Sequence, residues 1–386
     1  MRTCTRRTFF TLVAIGASAA ALGVPGCARG TGAGGIGAAG GSGAGGRASA
    51  GMQADGLLSV DLFAFDTFAT LRAACSGDVL SAMTDRCAYF ESIFSRTRKE
   101  SDVSAINAAG GKPVSVSFET ADIIQKSLAY SEQTGGLFDI SIGAVSELWD
   151  FKNGVVPSDQ AIAQALPHVG YQGIVVNGQA VQLKDAQARI DLGGIAKGYV
   201  ADDLVQYLVE QGCESACLDV GGTIRTIGNK PNGEPWRIGV RTSIDDVLPD
   251  GGPGGDVGDG ASGACSPGGS SSAASGSGSR DGENLVVVAG AEGLSVVTSG
   301  LTERAFVQDG KAYWHILDPR TGYPVDSRIA SASIMGARAL DGEGFTKPLF
   351  MMEPVDALAW IEVMPSVEAV LVGQDGQVMT TSRVPI

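Results

Sequence analysis

The stretch Asp191-Leu192-Gly193-Gly194-Ile195-Ala196-Lys197-Gly198 is the sharpest local pattern in the sequence. It predicts a junction between a strand over 188–192 and a helix, because apolar residues recur on one face of the segment that follows. Glycines at such a junction let the backbone approach a ligand, and the helix start offers N–H groups to an anion. Lys197 adds a positive charge. The GxGxxG and GxxxxGK[ST] fingerprints are absent, so a tight turn before a capped helix stays open.

A second junction of the same kind, Asp219-Val220-Gly221-Gly222, ends another apolar run. It is either a simple turn or the second wall of a shared cleft. Around the two junctions, the pattern predicts helices at 78–94, between Ser117 and Gly135, after Ile195, at 341–352 and at 355–364. Strands are predicted at 57–72, 173–176, 180–183, 188–192, 215–220, 224–228, 236–242, 284–289, 294–298, 303–308, 312–317, 330–334 and 368–372. Because helices and strands do not alternate regularly, we expect an α+β fold.

Composition and charge narrow the function classes. The chain has 386 residues, with 28 basic and 42 acidic side chains and a net charge of −14. Nucleic-acid binding is disfavoured, because such an acidic chain offers no phosphate-backbone footprint. The excess of glycine is concentrated at 28–51 and 249–282, which indicates two flexible segments in an otherwise globular chain.

The N-terminus carries the features of an export signal. Paired arginines in Thr5-Arg6-Arg7-Thr8-Phe9-Phe10 precede a short apolar run, which predicts a twin-arginine signal peptide over 1–26. Val24-Pro25-Gly26-Cys27 resembles a lipobox, so we expect a lipid anchor on Cys27, although an ordinary cleaved signal stays open. A tether over 27–56 would then hold a domain over 57–386, interrupted by an insert at 245–283, at the outer face of the cell membrane.

Five cysteines follow Cys27 in the sequence. One disulfide is possible in an oxidising compartment, and buried free thiols are the alternative.

Two further segments carry candidate chemistry. His315 lies in a predicted strand just before the turn Asp318-Pro319-Arg320-Thr321-Gly322, where it can accept a proton near neutral pH or serve a structural role. No cluster of histidine and cysteine is present in the sequence, so any metal would take oxygen ligands, as magnesium and calcium do. Asp341, Glu343 and Thr346 could supply them, although acids near a helix start are also favoured by the helix dipole.

Taken together, several segments resemble the ApbE family, the bacterial FAD:protein FMN transferases. The resemblance runs from about Leu58 to the C-terminus and skips the insert. The segments that carry it are Phe65-Asp66-Thr67, Phe94-Ser95, Ser101 to Asn107, Gly136 to Gly143, Leu148-Trp149, Asp191 to Gly198, Leu218 to Gly222, Ser295 to Gly300, Glu303-Arg304 and His315 to Pro324.

The resemblance implies a T-fold-like α+β domain that binds FAD in a cleft and uses Mg²⁺. The family transfers FMN from FAD to a threonine hydroxyl of an acceptor protein and releases AMP, and some relatives hydrolyse FAD instead. Acceptors would be proteins with a threonine flavinylation motif, such as FMN-binding domains or redox-pump subunits. By motif position, the flavin nucleotide contacts are Phe65, Phe138, Asp139, Ile140, Asp191, Lys197 and Leu317. The metal position is Gly194 with Glu343, Thr346 and Asp341, and His315 is the candidate proton relay.

Two positions depart from the family pattern. Thr97 stands where a tyrosine able to stack on the flavin is common. The late metal motif, commonly Asp-Ala-Leu-Ser-Thr-Ala-x-Phe, aligns with Glu343 at the aspartate, Thr346 at the serine and Lys347 at the threonine. An ammonium at Lys347 would oppose a cation there or partly replace it. Three hypotheses follow: a flavin transferase, an FAD pyrophosphatase, and an inactive flavin-holding lipoprotein.

Overall fold

The computed structural model describes residues 49–53, 55–241, 285–290, 292–301 and 303–385. The predicted signal peptide, Cys27 and the predicted insert at 245–283 lie outside the described residues. The strands in the described part are β1 Ser49–Met52, β2 Leu58–Ala64, β3 Thr67–Ala73, β4 Val114–Ser115, β5 Ile174–Asn177, β6 Ala180–Leu183, β7 Ala216–Val220, β8 Thr223–Ile227, β9 Trp236–Val240, β10 Leu285–Ala289, β11 Ser295–Gly300, β12 Ala305–Gln308, β13 Lys311–Trp314, β14 Ile329–Gly336, β15 Val367–Gly373 and β16 Val378–Thr380.

The α-helices of the described residues are α1 Gly77–Phe94, α2 Asp102–Ala108, α3 Phe118–Gln133, α4 Gly143–Ser146, α5 Asp159–Ala165, α6 Ala196–Glu210, α7 Ala339–Leu349 and α8 Pro354–Glu362. Several of them begin at a serine whose side chain accepts a bond from a backbone N–H of the first turn, such as Ser76 before α1 and Ser117 before α3. This cap satisfies a donor that the helix itself leaves open. Among the described helices, none has the length and apolar character needed to cross a membrane.

Nine antiparallel strands form the main sheet, in the order β1-β2-β3-β7-β8-β11-β14-β15-β16. Alternation sends successive side chains of each strand to opposite faces. In β7, Leu218 and Val220 join the larger core beneath the helices, whereas Cys217 joins a second cluster on the other face. The sheet is therefore covered on both faces. With separate small sheets and eight described helices, the α+β prediction is confirmed.

Strands β9 and β10 form the ribbon that covers the second face. Trp236, Ile238 and Val240 pack there against main-sheet residues such as Ile224. The two strands pair in antiparallel register, with Val240 opposite Leu285. The strands on either side of the predicted insert are thus direct neighbours.

Two predicted strands are wrong. The segment 57–72 is a hairpin, because Phe65 and Asp66 both adopt the left-handed conformation, with φ of 57° and 56°, and reverse the chain between β2 and β3. Sequence patterns did not reveal this turn because turns of this kind usually contain glycine or asparagine. The segment 188–192 is extended, but it makes only an isolated bridge between Arg189 and Ile142 in the described structure.

Candidate active site

Helices α6 and α7 bring distant parts of the chain together at one point. On α7, Glu343, Thr346 and Lys347 share a face because they are spaced by three and four residues. This face meets the first turn of α6, which carries Lys197 next to Gly198. A Cβ atom at Gly198 would lie 2.8 Å from the Ala339 carbonyl oxygen, so only glycine lets the helices approach this closely.

The result is a group of four side chains that we call the lysine–glutamate cluster: Lys197, Thr223, Glu343 and Lys347. The Lys347 ammonium donates to Oε2 of Glu343. Oε1 accepts from the Thr223 hydroxyl at 2.7 Å and lies 3.8 Å from Nζ of Lys197. Lys197 also donates to the Gly221 carbonyl at 3.0 Å, which joins the two predicted glycine junctions in one site.

Burial and charge determine the ionisation of the cluster. The Glu343 side chain is 1% exposed, and those of Lys197 and Lys347 are 18% and 17% exposed. Burial alone would raise the pKa of Glu343, but Lys347 and Lys197 hold that pKa below its ordinary value. Burial lowers the pKa of Lys347, and Glu343 opposes this shift. With both lysines and the glutamate ionised, the cluster carries an excess of one positive charge.

Asp219 is a second buried acid near this cluster. Its Oδ1 accepts a hydrogen bond from the Gly222 N–H at 2.9 Å. Burial raises the pKa of Asp219 to about 7, and the Gly222 bond and the Lys197 charge only partly offset it. This carboxyl therefore titrates near neutral pH.

His315 lies just after β13, where its backbone N–H donates to the Arg304 carbonyl at 3.0 Å. Its Nε2 is 3.9 Å from Oε2 of Glu303, and its buried Nδ1 has no hydrogen-bond partner among the described residues. Burial lowers the pKa of His315 to about 4, and the positive charges of Arg304, Lys197 and Lys347 act in the same direction. The imidazole is therefore neutral at neutral pH and can accept a hydrogen bond, and its predicted role as a proton relay stays a prediction.

Two predicted binding residues, Phe138 and Gly194, lie beside the cluster. A Cβ atom at Gly194 would be 3.9 Å from the Phe138 ring and 4.0 Å from Cε of Lys347. The loop that carries Gly194 is held by Asp191, whose Oδ1 accepts from the Gly193 N–H at 2.8 Å and whose Oδ2 lies 3.2 Å from Nε of Arg96. Asp191 thus shapes the glycine loop.

Asn107, to which the sequence analysis gave no role, holds the backbone of Ile190 just before this loop. The buried Asn107 amide donates to the Ile190 carbonyl at 2.9 Å and accepts from the Ile190 N–H at 2.7 Å. The residue was part of the family motif but received no role. Asn107 lies within α2, and no local signal reveals its role, because its partner lies 83 positions away in the chain.

The β2–β3 turn forms another wall of the site. Phe65 is partly buried there, and the Asp66 carbonyl accepts from Arg304 at 3.5 Å. A Cβ atom at Gly221 would lie 2.4 Å from the methyl group of Thr67, so the turn contacts the second glycine junction directly. The structure therefore brings Phe65 to the same region as Lys197.

The predicted nucleotide contacts Asp139, Ile140 and Leu317 are all buried and packed within the protein. The Asp139 carboxylate accepts from the Ser141 N–H and hydroxyl at 2.8 and 2.6 Å, and from the Tyr171 N–H at 2.8 Å. The Ile140 side chain lies in the main core, and Leu317 lies in a smaller apolar cluster around Trp149. Of the three, the Ile140 backbone contacts the start of the glycine loop, since the Asp191 N–H donates to the Ile140 carbonyl at 2.8 Å.

The residues predicted to hold a metal do not fit a divalent cation. Both oxygens of Glu343 are engaged, one of them by an ammonium. The Thr346 hydroxyl accepts from Ser299 at 3.0 Å. Asp341 is not brought to the site at all, because its carboxylate pairs with Arg338 at 2.7 Å and accepts from Tyr130 at 2.6 Å. Across the described residues, no three acidic, histidine or cysteine side chains are placed to bind a metal ion.

Known proteins are similar to this chain in sequence. A relative from Klebsiella pneumoniae (strain 342), named FAD:protein FMN transferase, is 31% identical over 298 residues, which cover 76% of this chain and 81% of the relative. A relative of the same name from Treponema pallidum (strain Nichols) is 29% identical over 312 residues, which cover 76% of each chain.

Solved structures of known proteins are also similar to this chain. The ApbE protein of Thermotoga maritima superposes with a TM-score of 0.68 at 28% identity, over 84% of this chain and 97% of that one. The flavin transferase ApbE of Vibrio cholerae, at 22% identity and a TM-score of 0.67, shares the fold over 87% of this chain and 98% of its own. The model of the ApbE family matches residues 65–371. The chain therefore belongs to the ApbE family.

Proposed function

We propose that this protein transfers FMN from FAD to a threonine hydroxyl of acceptor proteins. The single observation that carries the proposal is the pair of lysines, Lys197 and Lys347, held beside a glycine-rich loop and a helix start. A diphosphate is a dianion, and this pair offers it positive charge together with backbone N–H groups. The relatives' name, FAD:protein FMN transferase, supports the same reaction.

In this reaction, the acceptor hydroxyl attacks the phosphorus on the FMN side of the diphosphate. A new P–O bond joins FMN to the acceptor while the P–O bond to AMP breaks and AMP leaves. The lysines stabilise the charge that develops on the phosphate oxygens. The neutral imidazole of His315 takes the hydroxyl proton, and the bound dianion raises its basicity relative to the ligand-free chain. Phe138 and Phe65 border the flavin end.

Magnesium, which the resemblance implies, is left out of this proposal because the predicted ligands do not fit it. The acceptors are proteins with a threonine flavinylation motif, such as FMN-binding domains or redox-pump subunits. We place the protein at the outer face of the cell membrane, exported by its twin-arginine signal and anchored through Cys27.

The test is to incubate the full chain with FAD and an acceptor domain that carries the motif threonine. A covalent mass gain of one FMN on the acceptor, lost when its threonine is replaced by alanine, is the expected result. Release of free FMN and AMP without a mass gain would favour a pyrophosphatase. FAD that is bound but unchanged would favour a flavin-holding protein, and both outcomes would overturn the transferase.

A variant separates binding from chemistry. His315→Gln should bind FAD within about twofold of the parent while losing about a hundredfold in transfer rate, as expected for a general base. The exposed Lys184→Thr is the matched control and should change neither quantity. Full transfer by His315→Gln would remove His315 from the mechanism.

A further inference from the structure

Lys347 contacts one oxygen of the buried Glu343 carboxylate. Its ammonium donates to Oε2 of a carboxylate that is 1% exposed. Its Cε atom lies 4.0 Å from the Cβ position of Gly194, so the side chain extends from helix α7 towards the glycine loop. Lys347 therefore lies between Glu343 and the glycine loop, which both border the proposed diphosphate site.

A divalent cation cannot share this position. Mg²⁺ needs several oxygen ligands in octahedral geometry and is repelled by neighbouring positive charge. Here the carboxylate of Glu343 already faces two ammonium groups, and the remaining oxygen accepts from Thr223. Displacing Lys347 would leave an ammonium with its hydrogen bond broken in a mostly buried site, which is costly.

The donor count shows that the lysines still have hydrogen bonds to offer. An ammonium carries three N–H donors. Lys347 directs one to Glu343, and Lys197 directs one to the Gly221 carbonyl. Both side chains keep partial exposure, at 17% and 18%, so a ligand beside the glycine loop could accept from their remaining donors.

We propose that the Lys347 ammonium takes the place of a divalent metal in this protein, so that two lysines grip the FAD diphosphate without Mg²⁺. The inference rests on the proposed function, because it deepens the account of the same site. A lysine at position 347 also distinguishes this chain from one that has a hydroxyl side chain at that position. A threonine there would free one oxygen of Glu343 and add a second oxygen ligand.

The experiment measures metal binding and FAD binding separately on the full chain. Mn²⁺ binding is followed by electron paramagnetic resonance, with Mn²⁺ as the probe for a Mg²⁺-type site. FAD affinity is followed by quenching of flavin fluorescence, with EDTA and with Mg²⁺. The variants are Lys347→Thr and, as the matched control, the exposed Lys184→Thr. Circular dichroism checks that each variant is folded.

For the parent chain and Lys184→Thr, we expect no Mn²⁺ at the site and an FAD affinity that EDTA and Mg²⁺ leave unchanged. Lys347→Thr should gain one Mn²⁺, and in EDTA its FAD affinity should fall about tenfold, as the loss of one charged hydrogen bond implies. Stoichiometric Mn²⁺ on the parent chain, or FAD binding that requires Mg²⁺, would overturn the inference while leaving the proposed function intact. Failure of the parent chain to bind FAD in either condition would overturn the proposed function, and the lysine grip with it. The Mn²⁺ measurement on the parent chain needs no variant, so a misfolded Lys347→Thr does not affect it.

Discussion

Asp219 should make the stability of this protein depend on pH in a direction opposite to that of most acids. Its carboxyl is buried at the end of β7, where it accepts one hydrogen bond, from the Gly222 N–H at 2.9 Å. Lys197 is the charged neighbour that favours its ionised form, yet burial dominates and raises the pKa to about 7. The informative change is Asp219→Asn, because the amide oxygen can still accept from Gly222 and carries no charge.

The magnitude follows from the shift. The folded pKa of about 7 compares with an ordinary value of 3.8. One pKa unit corresponds to about 1.4 kcal/mol, so ionised Asp219 costs about 4 kcal/mol. Because the folded pKa is the higher one, the unfolded chain loses this proton first. The free energy of unfolding therefore falls as pH rises from about 4 to about 7, and the whole cost is present above that range.

Urea unfolding of the full chain and of Asp219→Asn, between about pH 5 and about pH 8, measures the effect. The variant should gain stability over the parent by about 1.4 kcal/mol for each pH unit up to about pH 7, and the difference should then level off. Asp85→Asn, an exposed aspartate on α1, is the matched control and should show no such trend. A difference between Asp219→Asn and the parent that stays constant with pH would refute the reasoning.

Two further predictions concern the positioning of the site. Gly198→Ala should destabilise the chain by about 1–3 kcal/mol and weaken FAD binding, because its Cβ would overlap helix α7, whereas Gly77→Ala, with open space around it, should change stability by under about 0.5 kcal/mol. Equal unfolding midpoints in urea for the two variants would contradict this. Asn107→Ala should cost about 2–3 kcal/mol by leaving two backbone groups of Ile190 unpaired, and the exposed Asn153→Ala serves as its control. Thermal unfolding measures the stability of both asparagine variants, and FAD titration measures whether Asn107→Ala also weakens FAD binding by loosening the glycine loop. An unchanged FAD affinity in Asn107→Ala would argue against a role of Asn107 in holding that loop.

Much of the fold could be predicted because long amphipathic segments carry a strong periodic signal. The prediction of a helix at 78–94 is confirmed by α1, and that at 341–352 by α7, within a few residues at each end. The hairpin at 57–72 was missed because its reversal rests on Phe65 and Asp66 in the left-handed conformation, which phenylalanine rarely adopts, and no glycine marks the turn. The periodicity of apolar residues predicts helices and strands, but it does not predict a left-handed turn at residues such as these.

The site was predictable only in part, for a different physical reason. Glycine junctions and charged residues stand out locally, so Lys197, Gly194 and Glu343 could be proposed from the sequence. Which of them meet depends on how the helices pack and on the register between β8 and its neighbours. Thr223, a hydroxyl in an ordinary strand, acquires its role only through that register. Asp341 lies on α7 as well, but its carboxylate pairs with Arg338, the residue just before that helix.

The charge balance of the lysine–glutamate cluster connects its stability to its function. Two ammonium groups beside one carboxylate leave an excess positive charge in a site with little solvent, and burying that charge costs desolvation free energy. Because Glu343 neutralises only one of the two lysines, the cluster can still attract an anion. When a dianion enters, its interaction with Lys197 and Lys347 is stronger than it would be in water, because the surroundings are mostly buried. The excess charge, which is costly to bury, would therefore supply the attraction for the diphosphate that we propose.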